Sequence, residues 1–151
     1  MARDALSHMA DLDDNSLGGV TAIQFIEHLP KNALVEFFRI ALSKMKPGAT
    51  LAAETVNPTC LTTFSGAFYL DMTHDKPIHP LAVQFLLERI GFKEVRIEYL
   101  YPYPDEARLT PINFEGYSGL TRYMMDEYNR NIEKLNRVLY SHPDYAVIAT
   151  K

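Results

Sequence analysis

The sequence holds one cysteine, Cys60. An internal disulfide is therefore excluded, which fits a reducing compartment, and a cytoplasmic location is expected. Nothing around Cys60 supplies an activating base or cation, so it reads as a small core or loop thiol rather than a nucleophile. Basic clusters are missing too. Lys and Arg number 15 against 19 Asp and Glu, giving a formal net charge of −4 and a pI near 5.7. A nucleic-acid partner is not expected from such a surface. No apolar run approaches the ~20 residues that a membrane span requires. Asp4, Asp11, Asp13 and Asp14 interrupt the first segment, which does not read as a signal or transit peptide. Internal repeats and low-complexity tracts are also absent.

What is present is a balanced composition, 47% hydrophobic and 23% charged, suited to a single α/β domain. Asp11–Asn15 is polar and turn-like, and Leu17–Ile23 is a short apolar run that reads as a buried strand. Pro30 opens a helix, where a missing N–H is harmless. Leu34, Phe38, Ala41 and Met45 recur at helical spacing, Phe37 and Ile40 widen that face, and Pro47-Gly48 stops the helix. Thr50–Val56 is nearly continuous in its apolar character, as in a strand buried on both faces. A long aromatic and polar connection, Thr59–His79, follows Asn57-Pro58. Connections of that length inside compact domains usually serve function.

Pro80 begins a second helix whose expected core face carries Leu81, Phe85, Leu86 and Ile90, with Gly91 as its stop. His79 reads as the residue that starts this helix. Phe92–Leu100 alternates like a half-exposed strand, and residues 101–117 look irregular. Leu120, Met124, Tyr128, Ile132, Leu135 and Leu139 mark a long amphipathic helix, and Tyr123, Met124, Met125 and Tyr128 read as packing residues. Asp144–Thr150 is a last strand. Strands alternating with helices predict a layered α/β sheet.

In this order and spacing the residues resemble the second half of a class I S-adenosylmethionine-dependent methyltransferase. Asp4-Ala5-Leu6 resembles the acidic motif after the third strand. Leu17–Ile23 with Glu27-His28-Leu29 resembles the fourth strand and its turn. Lys46-Pro47-Gly48 resembles the turn before the fifth strand, Gly91-Phe92 the approach to the sixth, and Asp144–Thr150 the seventh. Three further stretches are similar to a bacterial methyltransferase group associated with polysaccharides: Glu54–Pro58, Phe68–His74 and Asp144–Val147. The resemblance implies a partial Rossmann-like sheet of the last four strands, ordered 4-5-7-6 in family terms, with an antiparallel final strand. It also implies S-adenosylmethionine as cofactor and O-methylation of a sugar or polysaccharide. The first three strands and the glycine-rich cofactor turn have no counterpart; Gly18-Gly19 and Gly116–Gly119 do not follow a first strand. The expectation is one N-terminally incomplete domain over residues 1–151, holding the cofactor poorly by itself.

The candidate site follows from those correspondences. Ligands of open α/β sheets bind at the carboxyl ends of the strands, which directs attention to Gln24, Glu27 and His28. His28 reads as a general base or substrate-holding group. Glu27-His28 also admits a metal-ligand reading, weakened by the neutral Gln24 and not adopted, and a purely structural one in which the pair caps the next helix. Asp71 and His74 in the long connection are further catalytic candidates, against the alternative that 71–74 is a turn held by side-chain hydrogen bonds. Glu27, Asn57 and Tyr69 are candidates for the acceptor, with Asn57 equally suited to a turn. Asp4, Ala5 and Gln24 are candidates for the cofactor. A competing reading makes the chain a non-catalytic module that pairs with a second copy through a bare sheet edge.

Overall fold

The computed structural model describes residues 4–151. Five α-helices and four strands alternate: α1 (Ala5–Ala10), β1 (Leu17–Ile23), α2 (Lys31–Lys44), β2 (Met45–Val56), α3 (Leu61–Ser65), α4 (Pro80–Ile90), β3 (Lys93–Leu100), α5 (Gly119–Leu139) and β4 (Asp144–Thr150). The sheet is ordered β1-β2-β4-β3. β1 and β2 are parallel, and β4 runs antiparallel to both β2 and β3. The order and the reversed last strand agree with the expectation for the last four strands of a methyltransferase sheet.

The register follows from which side chains must leave water. Side chains of a strand alternate between faces, and Tyr145, Val147 and Ala149 of β4 are all buried. Opposite them stand Thr55, Ala53 and Leu51 of β2, also buried. A slip of one residue would turn this whole row outward. Leu34, Phe37, Phe38 and Ala41 of α2, with Val83 and Leu87 of α4, close the same core. α2 passes into β2 without a separate turn. β2 therefore begins at Met45, earlier than the expected Thr50, and the Pro47-Gly48 step sits inside it. Gly48 has φ 78°, and its N–H donates to the Lys151 carbonyl at 3.0 Å, so the step takes a left-handed residue and ties down the far end of β4.

Four other expectations are corrected. The connection Thr59–His79 is only partly irregular, for it contains α3 and a short 3-10 turn, Ala67–Leu70. β1 is an edge strand, buried only at Ala22 and with Ile23 exposed, because no neighbour lies beyond it among the described residues. Of the expected face of α4, Leu86 and Ile90 pack half-buried against the core, but Leu81 and Phe85 face water, with Arg89 over the Phe85 ring, and the fully buried residues are Pro80, Val83 and Leu87. That helix has apolar residues on two sides, so spacing alone admits either face. In α5 only Ile132 and Asn136 are buried. Leu120, Tyr123, Met124, Tyr128 and Leu135 are exposed, so this stripe is not the packing face that its spacing suggests. Among the described residues no helix is long and apolar enough to cross a membrane.

The corrected face of α4 is open to measurement. Leu87→Ala should lower stability to urea by about 2–5 kcal/mol, the usual loss for a buried leucine. Leu81→Ala should stay within about 0.5 kcal/mol of the parent. Equal losses would restore the face inferred from spacing.

Candidate functional site

β1 and β2 end at the same edge of the sheet, and β4, running the other way, begins there. The pairing of Val56 with Asp144 marks that edge. Beyond β1 the chain makes a sharp exit. Gln24 is left-handed, φ 46°, and its N–H donates to the Glu54 carbonyl at 3.0 Å. The Gln24 side chain lies beside the Asp144 carboxyl. Burial pushes the Asp144 carboxyl up, Gln24 opposes the rise, and the charge of Glu27 adds to it.

A single 3-10 turn, Ile26–His28, follows. Ile26 fills the core, which turns Glu27 inward as well: its residue exposure is 1%, and neither carboxylate oxygen has a hydrogen-bond partner. Its neighbours offer little. Tyr145 lies close enough for the Glu27 charge to help burial raise the phenol. The Tyr145 hydroxyl donates instead to the Ile78 carbonyl at 2.8 Å.

The connection between β2 and α4 folds over this turn. The N–H of Asp75 donates to the Glu27 carbonyl at 2.8 Å. Asp71 Oδ1 accepts from the Thr73 N–H at 2.8 Å and from the Thr73 hydroxyl at 2.6 Å. These bonds hold the Asp71 carboxyl below its ordinary value. The Thr73 proton is thus committed, so Thr73 Oγ1 accepts from His28 Nδ1, 2.9 Å away. His74 Nδ1 lies 2.7 Å from the Phe68 carbonyl, an obligate acceptor. The tautomer that these bonds select in each imidazole carries the proton on Nδ1 and the lone pair on Nε2. The two rings stand 4.7 Å apart between centroids, and Phe68 packs at 4.7 Å on the other side of His74.

The fold thus brings Glu27, His28, Asp71 and His74 into one cluster. The turn at 71–74 is held by side-chain hydrogen bonds, as one reading of the sequence had it, and the same bonds aim Thr73 at His28. Tyr69 is exposed and meets Phe68 and Phe64 edge-on. Asn57 is different. It is fully buried; its amide donates to the His142 carbonyl at 2.8 Å and accepts from the Thr59 N–H and hydroxyl. Its side chain is committed to the turn after β2.

Asp4 caps α1, accepting from the N–H and hydroxyl of Ser7, which hold its carboxyl low. Ala5 lines a shallow groove along β1 with Met9, Val20, Ile23 and Phe25, and none of the clustered residues belongs to it. His79 caps α4, its Nδ1 accepting from the Leu81 N–H at 3.2 Å. Cys60 is buried near the Leu139 carbonyl, 3.4 Å from Sγ.

Thr73, Asp144, Tyr145 and the Phe68 carbonyl escaped sequence reasoning. The Asp-x-Thr spacing of an Asx or Thr turn was a usable signal for Thr73. The others act through contacts with elements far along the chain.

An open α/β sheet with an antiparallel last strand and a cluster at its carboxyl edge is the fold of S-adenosylmethionine-dependent methyltransferases. One such enzyme, from Archaeoglobus fulgidus, is 38% identical over 100% of this chain, with a TM-score of 0.91. A methyltransferase of Thermotoga maritima shares the fold at 16% identity over 93% of the chain, TM-score 0.59. A Haemonchus contortus phosphoethanolamine N-methyltransferase, solved with S-adenosyl-L-methionine, does so at 14% identity over 93%, TM-score 0.56. The chain spans 66%, 59% and 34% of those proteins. No protein-family profile and no curated protein matches it.

The orientation of His28 can be tested by nitrogen-detected NMR of the imidazoles. Both neutral rings should report a bare Nε2. Thr73→Val should release His28 from that tautomer while leaving His74 unchanged. An unaltered His28 spectrum in the variant would remove Thr73 from the site.

Proposed function

We propose that this chain forms the acceptor-binding side of an S-adenosylmethionine-dependent methyltransferase whose product is an O-methylated sugar or polysaccharide. One observation carries the reading: two imidazoles with bare Nε2 atoms sit together at the carboxyl edge of the parallel strands, in a fold shared at TM-score 0.91 with an enzyme of that class. That edge is where ligands of open α/β sheets bind. Methyl transfer is an in-line displacement from a sulfonium, so alignment of the nucleophile and removal of its proton are the main tasks left to the protein. His28 and His74 are assigned to the acceptor hydroxyl, Asp71 to holding His28 in place through Thr73, and the exposed Tyr69 ring to stacking on a sugar. Sugar as the acceptor class also rests on the likeness of Glu54–Pro58, Phe68–His74 and Asp144–Val147 to the polysaccharide-associated group.

The cofactor belongs beside the open edge of β1, where Asp4, Ala5 and Gln24 stand nearest the strands of a longer sheet. Calorimetry should then find no micromolar binding of S-adenosylmethionine to the 151 residues alone. In any preparation that turns over, His28→Ala should slow methyl transfer by about 10²–10⁴, the range of a lost acid–base group, with folding unchanged. Unaltered turnover in both His28→Ala and His74→Ala would defeat the assignment. The unpaired edge of β1, with Ile23 exposed, favours one competing reading, self-association of a non-catalytic module. Sedimentation as a monomer would dispose of it.

A further inference from the structure

We infer that Glu27, His28 and His74 bind a divalent transition-metal ion. Each residue offers one ligand atom, and these atoms all lie within 4.8 Å of one another. An ion placed between them would be reached by small side-chain adjustments to ordinary metal–ligand distances of about 2.0–2.2 Å.

Three independent facts favour an ion over a purely structural cluster. The first is Glu27. A buried carboxylate without a partner is costly, and proteins normally pair it or coordinate it. Here both oxygens lack a donor, and no ion pair among the described residues includes Glu27. The charged group that acts on its surroundings is another acid, Asp144. A dication would supply what no side chain does.

The second is tautomer control. Ligating histidines characteristically donate their other ring N–H to a carboxylate, a carbonyl or a similar acceptor, which fixes the ring and leaves one nitrogen for the metal. His28 does so through Thr73 to Asp71, and His74 does so to the Phe68 carbonyl. The His74 Nε2 is 3.9 Å from Asp71 Oδ2, beyond hydrogen-bond range, so that nitrogen is also unengaged.

The third is donor chemistry. Two imidazoles and one carboxylate suit zinc, iron, manganese or cobalt, whereas magnesium and calcium favour oxygen ligands. Three protein ligands leave positions open on the ion. Under the methyl-transfer reading, on which this last step rests, an open position faces the acceptor and the ion supplies Lewis acidity to its oxygen. His28 and His74 then act on the acceptor hydroxyl through the ion that they hold.

Metal binding can be measured without cofactor or acceptor, so its outcome is separate from that of the methyl-transfer reading. The chelator-treated chain is titrated with Co²⁺ and followed by visible absorption, then by displacement with Zn²⁺. A single equivalent should give ligand-field bands. Glu27→Gln and His74→Ala should each weaken binding at least about 10-fold, and Thr73→Val about 10-fold or more through loss of ring orientation. His79→Ala, outside the cluster, should leave binding unchanged. Absence of bands in the parent chain, or affinity undiminished from the parent's in both Glu27→Gln and His74→Ala, would overturn the site. Should those variants fail to fold, substoichiometric Mn²⁺ added to the parent decides. Selective broadening of the His28 and His74 ring signals over those of His8, His79 and His142 supports the site, and uniform or no broadening refutes it.

Discussion

β4 enters the sheet between β2 and β3 from the edge at which the parallel strands finish, and most of the site depends on that insertion. The pairing is held by burial of the Tyr145, Val147 and Ala149 row against Thr55, Ala53 and Leu51. It puts Asp144 and Tyr145, the first residues of β4, beside the exits of β1 and β2. Tyr145 then reaches out of the sheet to the Ile78 carbonyl and so pins the far end of the β2–α4 connection. The near end is pinned by Asn57, whose amide joins the residue after β2 to the His142 carbonyl just before β4. A segment anchored at both ends on one strand has few ways to lie, and it lies across the Glu27–His28 turn.

Electrostatics at that turn run against ordinary stability. Glu27 is buried without a donor, Asp144 is half-buried close by, and the Tyr145 phenol is held protonated by burial and by the Glu27 charge. A core optimised for stability alone would replace such a carboxylate by an apolar residue of similar volume. Local order compensates around it rather than at it: the Asp71–Thr73–His28 chain and the His74–Phe68 bond are complete. The turn thus combines an unpartnered carboxylate at its centre with two imidazoles whose Nδ1 atoms are both engaged.

Much of the fold was legible because its signals are local. The α2 face of Leu34, Phe37, Phe38 and Ala41 has one period and one solution, and it emerged as expected. The order of the strands followed from motifs in sequence, since Leu17–Ile23, Thr50–Val56 and Asp144–Thr150 each occupy the place that the methyltransferase likeness gives them. Where spacing misled, two faces were apolar, as in α4, or the face had nothing to cover it, as in the first half of α5. β1 read as buried because its composition is that of an interior strand, while its burial depends on a neighbour that the described residues do not include. In the site, Glu27, His28, Asp71 and His74 were each visible, yet their convergence was not. His28 and Thr73 are 45 residues apart, and Tyr145 and Ile78 are 67 apart. Such contacts are set by tertiary register, which no local pattern encodes.

The polar groups of the sheet's carboxyl edge are unevenly committed. On the loop side, Nδ1 of His28 is engaged by Thr73 and Nδ1 of His74 by the Phe68 carbonyl. On the β1 side, Asp4 turns its carboxylate back onto Ser7, and Ala5 borders only a shallow apolar groove. The side chains that converge among the described residues therefore lie on the loop side, and the groove along β1 holds none of them. The boundary between them is Gln24, left-handed at the end of β1, with its backbone tied to β2 and its side chain beside Asp144. Glu27 lies three positions on, so this tied exit of β1 sets where the turn that buries the carboxylate begins.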